Sequence, residues 1–306
     1  MPAPRIAIGP SPAAFAVRAV TDGGGEVVGP DEPADAVVWL SASDAGGLAA
    51  VLSAQPGVGW VQLPFAGVES FAAAGLLGDG RVWTCAKGSF APEVAEHALA
   101  LALAGLRRLP ERARARSWGR PAGTSLIGAK VVIVGAGGIA QELLRLLTPF
   151  GVQATVVRHR PEALAGAAAT VGTAGLRAAL PGATVVWLAL ALTPATAGII
   201  GAPELDRMDD HAWLVNVARG PHVDTAALVD ALAGGAIGGA ALDVTDPEPL
   251  PDGHPLWDLP NCLVTPHTAD WPEVVVPPLQ ARIAANVRRF ADGEPLEGLV
   301  DPERGY

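Results

Sequence analysis

Short apolar runs alternate with alanine-rich segments along the first third of the chain. The apolar runs at residues 5–8, 36–40 and 58–61 have the length and composition of buried strands. Between them, residues 13–20 and 44–53 are rich in alanine, the strongest helix former. Strands that alternate with helices at this spacing form βαβ units, so the pattern predicts a parallel sheet in this part of the chain.

A second series of apolar runs begins near Lys130. The predicted strands are residues 131–134, 153–157, 184–188, 213–217, 239–242 and 262–264. A last helix, at about residues 273–291, follows this series, and we expect it to cross back to the first part of the chain. The chain therefore contains two α/β parts.

The segment at residues 91–109 lies between these two parts and is predicted to be one long helix. Pro92 suits a first turn, and Glu93 and Glu96 lie near the positive end of the helix dipole. Its middle is apolar nearly all round, which is typical of a helix buried on most faces. Pro110 and the basic residues around it should end the helix. We predict that this helix joins the domains and forms a homodimer interface.

Composition narrows the classes of protein. At 306 residues, with 50% hydrophobic and 17% charged residues, the chain has about two domains and is not disordered. The formal net charge of −10 argues against non-specific binding to DNA or to anionic membranes. The only two cysteines, Cys85 and Cys262, are far apart, so a disulfide framework is not expected and a reducing cytoplasm is. No signal peptide or bilayer-spanning stretch is found.

A glycine-rich turn follows the valine-rich strand of the second part. Gly135, Gly137 and Ala140 form the pattern G-x-G-x-x-A, which suits a tight turn, close backbone approach to a pyrophosphate and close helix packing. Gly138 and Ile139 lead into a helix predicted at residues 141–147, and the N–H groups and partial positive charge of a helix start favour phosphate. The turn predicts dinucleotide binding, although a glycine-rich turn without a ligand has the same pattern.

The end of the following strand decides the expected cofactor. An NAD site usually has an acidic residue there, about 20 residues past the glycines, but this chain has Arg158, His159 and Arg160. Two arginines on an extended segment could offer forked donors to a 2′-phosphate. We therefore predict NADP(H) rather than NAD(H). The alternative is an exposed basic turn at a site that accepts either cofactor.

Three polar residues follow apolar segments in the second part. Arg219 can hold a carboxylate in a two-pronged fork, and His267 can give or take a proton at a substrate oxygen. The carboxylate of Glu248 would stabilise the imidazolium form of the histidine. Ligands bind beyond the carboxyl ends of parallel strands, where all three would lie. Singly, each has a commoner explanation, such as a surface ion pair or a structural histidine.

With these residues in place, the chain resembles the D-isomer-specific 2-hydroxyacid dehydrogenase family. The resemblance covers essentially the whole chain and is densest over residues 126–269. The motifs that carry it are residues 91–97, 128–130, 192–196, 214–221, 240–244, 248–251, 254–257 and 265–269. Several long motifs in the family's order make a chance match very improbable.

The resemblance implies roles for particular residues. Arg219, Glu248 and His267 match the family's catalytic residues, and Asp243 matches the aspartate that holds the nicotinamide carboxamide. The residues implied to line the cofactor cleft are Thr193, Val217 and Ala218, and those implied to receive the substrate carboxylate are Ala66, Gly67 and Val68. Alternatively, Asp243 caps a turn and residues 66–68 form an ordinary loop.

The resemblance also implies a fold and a reaction. It implies an α/β fold of two Rossmann-like or flavodoxin-like domains with parallel sheets. A dinucleotide-binding domain at residues 97–272 would be inserted into a substrate domain at residues 1–96 and 273–306. The reaction would be reversible hydride transfer between a nicotinamide cofactor and a small 2-oxo acid such as glyoxylate or hydroxypyruvate, run as reduction. No metal, nucleic acid or membrane partner is expected.

One departure from the family and two rival functions remain open. The family often has small residues after the catalytic histidine, but here Ala269 is followed by Asp270 and Trp271. Trp271 either reshapes the substrate wall or packs against the first domain. The first rival is a non-enzymatic nicotinamide-nucleotide sensor or corepressor, and the intact acid–base pair argues against it. The second is oxidation of formate or phosphite.

Overall fold

The computed structural model describes residues 2–29 and 31–302. Residues 303–306, at the end of the expected substrate domain, lie outside the described part. The chain divides into two compact units. One comprises the residues up to Phe90 together with those from Pro272, and the other is Ala91–Trp271. The second unit therefore interrupts the sequence of the first.

The first unit contains a five-stranded parallel sheet. Its elements in chain order are β1 (Arg5–Gly9), α1 (Ala14–Asp22), β2 (Glu26–Val28), β3 (Ala36–Trp39), α2 (Ala45–Ala54), β4 (Trp60–Gln62), α3 (Glu69–Ala73) and β5 (Val82–Thr84). The strand order is β2-β1-β3-β4-β5, with every pair parallel. This is the flavodoxin-like order of doubly wound sheets.

The second unit contains a seven-stranded parallel sheet. Its elements are α4 (Ala91–Leu106), α5 (Leu109–Arg114), β6 (Lys130–Val134), α6 (Gly138–Leu147), β7 (Gln153–Arg158), β8 (Ala169–Gly172), α7 (Leu176–Ala179), β9 (Val185–Leu188), α8 (Ala202–Leu205), β10 (Trp213–Asn216), α9 (Thr225–Ala233), β11 (Gly239–Leu242) and β12 (Cys262–Val264). The order is β12-β11-β10-β9-β6-β7-β8, and every pair is parallel.

These two sheets confirm the predicted α/β class. In the second sheet the chain starts at β6, builds outward through β7 and β8, and then returns to β9 on the other side of β6. This is the Rossmann order with β12 added at one edge. Strand β6 is buried along nearly its whole length, since Val131 to Val134 are at most 1% exposed. A strand covered on both faces needs a continuous apolar run, which is why the sequence pattern identified it.

The last helix, α10 (Pro272–Asp292), belongs to the first unit. It packs against α1, and Asn286 donates a hydrogen bond from Nδ2 to Oε1 of Gln62 at 2.8 Å. The ring of Phe290 lies 5.2 Å from that of Trp60. These contacts join the end of the chain to the sheet formed by its beginning.

The helix predicted at residues 91–109 is shorter than expected. It ends at Leu106, because Arg108 adopts a left-handed conformation with φ of 52°, and Pro110 then lies in the first turn of α5. Helix α4 packs on α6, β10 and β11 of its own unit. Much of the apolar surface that suggested a dimer interface is therefore covered within the unit, and Leu99 and Leu103 remain partly exposed.

Neither cysteine is arranged for thiol chemistry. Cys85 and Cys262 are free thiols. Burial raises the pKa of Cys85, and it raises that of Cys262 to about 12, so both are protonated near neutral pH. Within residues 2–29 and 31–302, no helix is long and apolar enough to cross a bilayer, and no cluster of three or more His, Cys, Asp or Glu residues could hold a metal ion.

Candidate active site

The glycine turn lies at the point where the strand order of the second sheet reverses. Gly135 follows β6, has φ of 118° and donates its backbone N–H to the carbonyl of Val157 at 2.8 Å. A Cβ at this position would collide with the carbonyl oxygen of Ala189, which follows β9. The turn therefore requires glycine, and it places the first motif glycine between β6 and β9, where doubly wound sheets bind ligands.

The start of α6 fits the pyrophosphate of a dinucleotide. Gly137 precedes the helix with extended backbone, no side chain caps it, and a Cβ there would meet nothing within 4 Å. Gly138 begins the helix, Ile139 is half-buried, and Ala140 is fully buried. An open, uncapped helix N-terminus beside glycines is the geometry that phosphate groups use. The residues present thus fit the pyrophosphate of a dinucleotide.

The basic residues after β7 are arranged differently from the expectation. Arg158 is the last residue of the strand, whereas His159 and Arg160 lie in an exposed bend, so the two arginines do not share one extended segment. Arg158 donates to the backbone oxygen of Glu162 at 3.4 Å and lies 3.7 Å from its carboxylate. The bend follows because the strand pairing with β8 ends at Arg158 and Gly172.

The three predicted catalytic residues follow three neighbouring strands. Arg219 follows β10, Glu248 follows β11, and His267 follows β12. These strands are adjacent and parallel in the order β12-β11-β10, so their carboxyl ends share one edge of the sheet. The structure thus places all three residues at the end of the sheet where ligands bind.

His267 and Glu248 are in direct contact. Nδ1 of His267 lies 2.7 Å from Oε1 of Glu248. The other oxygen of Glu248 accepts a hydrogen bond from the backbone N–H of Thr245 at 3.4 Å, which helps to fix the orientation of the carboxylate. Because a carboxylate only accepts hydrogen bonds, Nδ1 of His267 carries a proton and Nε2 is the nitrogen left to exchange one with a ligand.

The backbone before Arg219 is held by Asn216. The buried Asn216 side chain donates to the carbonyl of Arg219 at 2.9 Å and accepts from the N–H of Ala218 at 3.0 Å. Arg219 itself donates to the carbonyl of Ala218 at 2.7 Å. A Cβ at Gly220 would collide with the carbonyl oxygen of Thr245. This bracing fixes Val217 and Ala218, two predicted cofactor contacts, on the same turn as the arginine.

Asp243 is an anchor for the loop that carries His267. Its side chain is buried, and it accepts hydrogen bonds from the Thr265 hydroxyl at 2.5 Å and from the backbone N–H groups of Thr268 and Ala269 at 2.9 and 3.1 Å. Burial alone would raise the pKa of Asp243, but these donors and His97 lower it to about 2. The carboxylate is therefore ionised near neutral pH.

Asp270 adds a second carboxylate to the region. Burial raises the pKa of the Asp270 carboxyl, against the opposing charges of His267 and Arg219. Asp270 thus lies within electrostatic range of both His267 and Arg219. The sequence marked this position only as a departure from the family, and the neighbouring Trp271 is 48% exposed.

A histidine that the sequence did not single out holds the Thr193 loop. Thr193 donates its backbone N–H to the Thr196 hydroxyl at 2.8 Å. The fully buried His222 has Nδ1 at 2.9 Å from the carbonyl of Thr196 and Nε2 at 3.2 Å from that of Leu190. His222 therefore ties the loop after β9 to the segment of Arg219. Its only sequence signal is its place three residues after that arginine.

The predicted substrate loop belongs to the first unit. Ala66, Gly67 and Val68 follow β4 and precede α3, so they lie beyond the carboxyl end of a parallel strand. Ala66 is exposed and Val68 is buried. Within the described part of the chain, the backbone N–H groups of these three residues make no hydrogen bond. Such groups are suited to receive a carboxylate.

Comparison with known proteins decides the family. Residues 97–269 match the family model described as D-isomer specific 2-hydroxyacid dehydrogenase, NAD binding domain. The chain belongs to the D-isomer specific 2-hydroxyacid dehydrogenase family. This dehydrogenase is an oxidoreductase with an NAD(P)-binding domain, and the family confirms the resemblance seen in the sequence.

Two curated relatives of the dehydrogenase match over most of its length. It is 39% identical over 253 residues to an uncharacterized protein in the proB 3′ region of Corynebacterium melassecola, a match that covers 81% of this chain and 83% of the relative. It is 37% identical over 215 residues to the human glyoxylate reductase/hydroxypyruvate reductase, covering 66% of this chain and 64% of the human protein, slightly less than two thirds.

A solved structure matches over both units. The D-isomer specific 2-hydroxyacid dehydrogenase from Xanthobacter autotrophicus Py2, in complex with NADPH and MES, has a TM-score of 0.86 at 28% identity. The alignment covers 99% of this chain and 100% of that one. None of these relatives favours the alternative of a non-enzymatic sensor.

Proposed function

We propose that the dehydrogenase reduces a small 2-oxo acid, such as glyoxylate or hydroxypyruvate, with NADPH. The observation that carries the proposal is the 2.7 Å contact between His267 and Glu248, at the same sheet edge as Arg219. A protein that only binds a nucleotide has no need of this acid–base pair. The name of the human relative supports the substrate class, and the NADPH in the Xanthobacter structure supports the cofactor.

The residues proposed to hold the cofactor all belong to the second unit. Those proposed to contact it are Gly135, Gly137, Gly138, Ile139, Arg158, His159, Arg160, Thr193, Val217, Ala218 and Asp243. The glycines and the α6 N-terminus would bind the pyrophosphate through N–H groups. When bound, the reduced nicotinamide supplies the hydride for carbonyl reduction.

The chain's own catalytic groups orient the substrate and supply the proton. Arg219 binds the substrate carboxylate and polarises the neighbouring carbonyl through its planar fork. His267 donates the proton on Nε2 to the carbonyl oxygen as it becomes a hydroxyl. Glu248 accepts the Nδ1–H bond, which orients the ring and stabilises its charged form before transfer. The N–H groups of residues 66–68, which belong to the first unit, stay a predicted contact for a substrate carboxylate.

The proposal is tested by turnover of a panel of 2-oxo acids with NADPH and with NADH. We expect NADPH-dependent reduction to be fastest with glyoxylate or hydroxypyruvate and slower with bulkier acids. Formate and phosphite, tested with the oxidised cofactors, should give no reduction of the nucleotide. Tight nucleotide binding without turnover of any 2-oxo acid would contradict the proposal and would restore the sensor as the better explanation.

Replacing Arg158 by alanine should weaken the preference for NADPH, chiefly through KM. The exposed pair of Arg158 with Glu162 is worth at most about 1 kcal/mol, so a 2′-phosphate can displace it. A charged hydrogen bond to the phosphate contributes roughly 1.5–3 kcal/mol, about tenfold to a hundredfold in affinity. The measurement is kcat/KM for both cofactors in the wild type and the variant.

A matched control removes an arginine from the same unit. Arg145 pairs with Glu142 on α6 at 2.6 Å, and its side chain is 68% exposed. Arg145→Ala should leave both cofactor KM values unchanged. A wild-type preference for NADH would refute NADP(H) specificity, and an equal effect of Arg158→Ala on both cofactors would refute the role of Arg158 in it.

Three further expectations stay predictions. The assignment of the first unit to the substrate and of the second to the dinucleotide follows from the proposed reaction. A homodimer through the helix predicted at residues 91–109 would use the part of α4 that its own unit leaves partly exposed, around Leu99 and Leu103. The cytoplasmic location is still inferred from cysteine usage alone.

A further inference from the structure

His97 on helix α4 contacts Asp243 and Thr265, which hold the loop that carries His267. Nε2 of His97 lies 3.2 Å from Oγ1 of Thr265 and 3.3 Å from Oδ1 of Asp243. The side chain of His97 is 21% exposed, so the contact is largely shielded from water. The mechanism proposed above gives His97 no role.

The direction of the His97 hydrogen bond follows from the protons available. The Thr265 hydroxyl has one proton, and it is donated to Oδ1 of Asp243 at 2.5 Å. Asp243 is ionised and only accepts. Both oxygens that face Nε2 of His97 are therefore acceptors, so Nε2 must carry a proton and donate it. His97 thus serves as a donor from a neighbouring helix to the Thr265–Asp243 pair.

The anchor holds His267 in a conformation that it would not adopt freely. His267 has φ of 51°, in the left-handed region that is unfavourable for a residue other than glycine. Its backbone N–H donates to the carbonyl of Asp243 at 2.8 Å, and the next two N–H groups donate to the Asp243 carboxylate. Such a conformation persists only where several contacts fix it together.

We propose that His97 is a positioning residue for the reaction: by donating Nε2–H to Thr265 and Asp243, it fixes the carboxylate that holds the His267 loop. The inference rests on the proposed function for its effect on turnover. The geometry itself involves three elements of one unit, namely α4 and the segments that follow β11 and β12. His97 acts through Asp243 and Thr265 and does not touch the substrate.

The test compares two substitutions of the histidine. His97→Leu keeps bulk but removes the donor, and it should lower kcat by roughly tenfold to a hundredfold, the scale of a small misplacement of a catalytic group. KM for the 2-oxo acid should change little, because the loss is confined to proton transfer. His97→Gln places an amide donor near the position of Nε2 and should restore most of kcat.

A second measurement does not depend on turnover. Hydrogen–deuterium exchange of the peptide that contains Thr268 and Ala269 should accelerate in His97→Leu and stay near wild type in His97→Gln, because these N–H groups bond to Asp243. The control is His211→Leu, which removes a half-exposed histidine beside Asp210 from the same unit. It should alter neither the exchange nor kcat.

The outcomes separate this inference from the proposed function. If the wild type reduces no 2-oxo acid, the proposed function fails, but the exchange result still tests the anchor. If the wild type is active and His97→Leu matches it in kcat and exchange, the positioning role is wrong. Equal losses in the Leu and Gln variants would also overturn it, since the donor would then be irrelevant.

Discussion

Replacing His267 by glutamine should lower kcat for 2-oxo acid reduction by about 10² or more, the usual contribution of a positioned general acid. The glutamine amide can reach a carbonyl oxygen but cannot transfer a proton to it. The loss should fall on kcat, because binding of the nucleotide depends on the glycine turn and α6, which the substitution does not touch. Steady-state kinetics with NADPH and the best 2-oxo acid measure the effect.

Two comparisons make this result specific. The dissociation constant for NADPH, measured by fluorescence, should match the wild type in His267→Gln. Glu248→Gln should give a smaller loss, since the amide oxygen can still accept the Nδ1–H bond seen at 2.7 Å, while the stabilising charge is gone. Near-full activity of His267→Gln across the pH range would show that another group supplies the proton.

The positions of the three proposed catalytic residues could be predicted because strand ends are visible in the sequence. Arg219, Glu248 and His267 each follow an apolar run, and parallel strands bring their carboxyl ends to one edge. Gly135 was equally predictable, since its φ of 118° and the approach of Ala189 tolerate no side chain. In both cases a local pattern determines a position that the fold then uses.

Other features depend on contacts that no local pattern contains. The short strands β2, β5 and β8 have only three or four residues each and lie at sheet edges, where pairing decides whether a strand exists. The early end of α4 depends on the left-handed conformation of Arg108. The presence of an arginine in the sequence does not predict that conformation. The separation of Arg158 from Arg160 depends on where the pairing with β8 stops.

The anchoring role of Asp243 was also outside the reach of the sequence. The resemblance implied a contact with the nicotinamide carboxamide, and a turn cap was the alternative. The structure shows four donors around the carboxylate, from His97, Thr265, Thr268 and Ala269, contributed by two separate segments of one unit. Only the packing of α4 against the sheet brings the first of these donors to the others.

Asp243→Asn should therefore lower the stability of the protein as well as its rate of 2-oxo acid reduction. An asparagine has one acceptor oxygen where the carboxylate has two, so either amide orientation turns an NH₂ group toward a donor. The site is buried, with Asp243 only 2% exposed, and water cannot relieve the mismatch. The lowering of the pKa of Asp243 from 3.8 to about 2 corresponds to about 2 kcal/mol of stability at neutral pH.

The pH dependence of that loss identifies its cause. A carboxyl whose pKa is lower in the folded state contributes its stability above the unfolded pKa, near 4, and loses it as the pH falls toward the folded pKa, near 2. Urea unfolding should therefore show a gap of about 2 kcal/mol between wild type and Asp243→Asn at pH 7 that narrows as the pH falls from 4 toward 2. Asp210→Asn, at a side chain that is 89% exposed, should show no such gap. A gap of constant size down to the lowest pH would mean that the ionised carboxylate is not what holds the His267 loop, because loss of shape alone does not titrate.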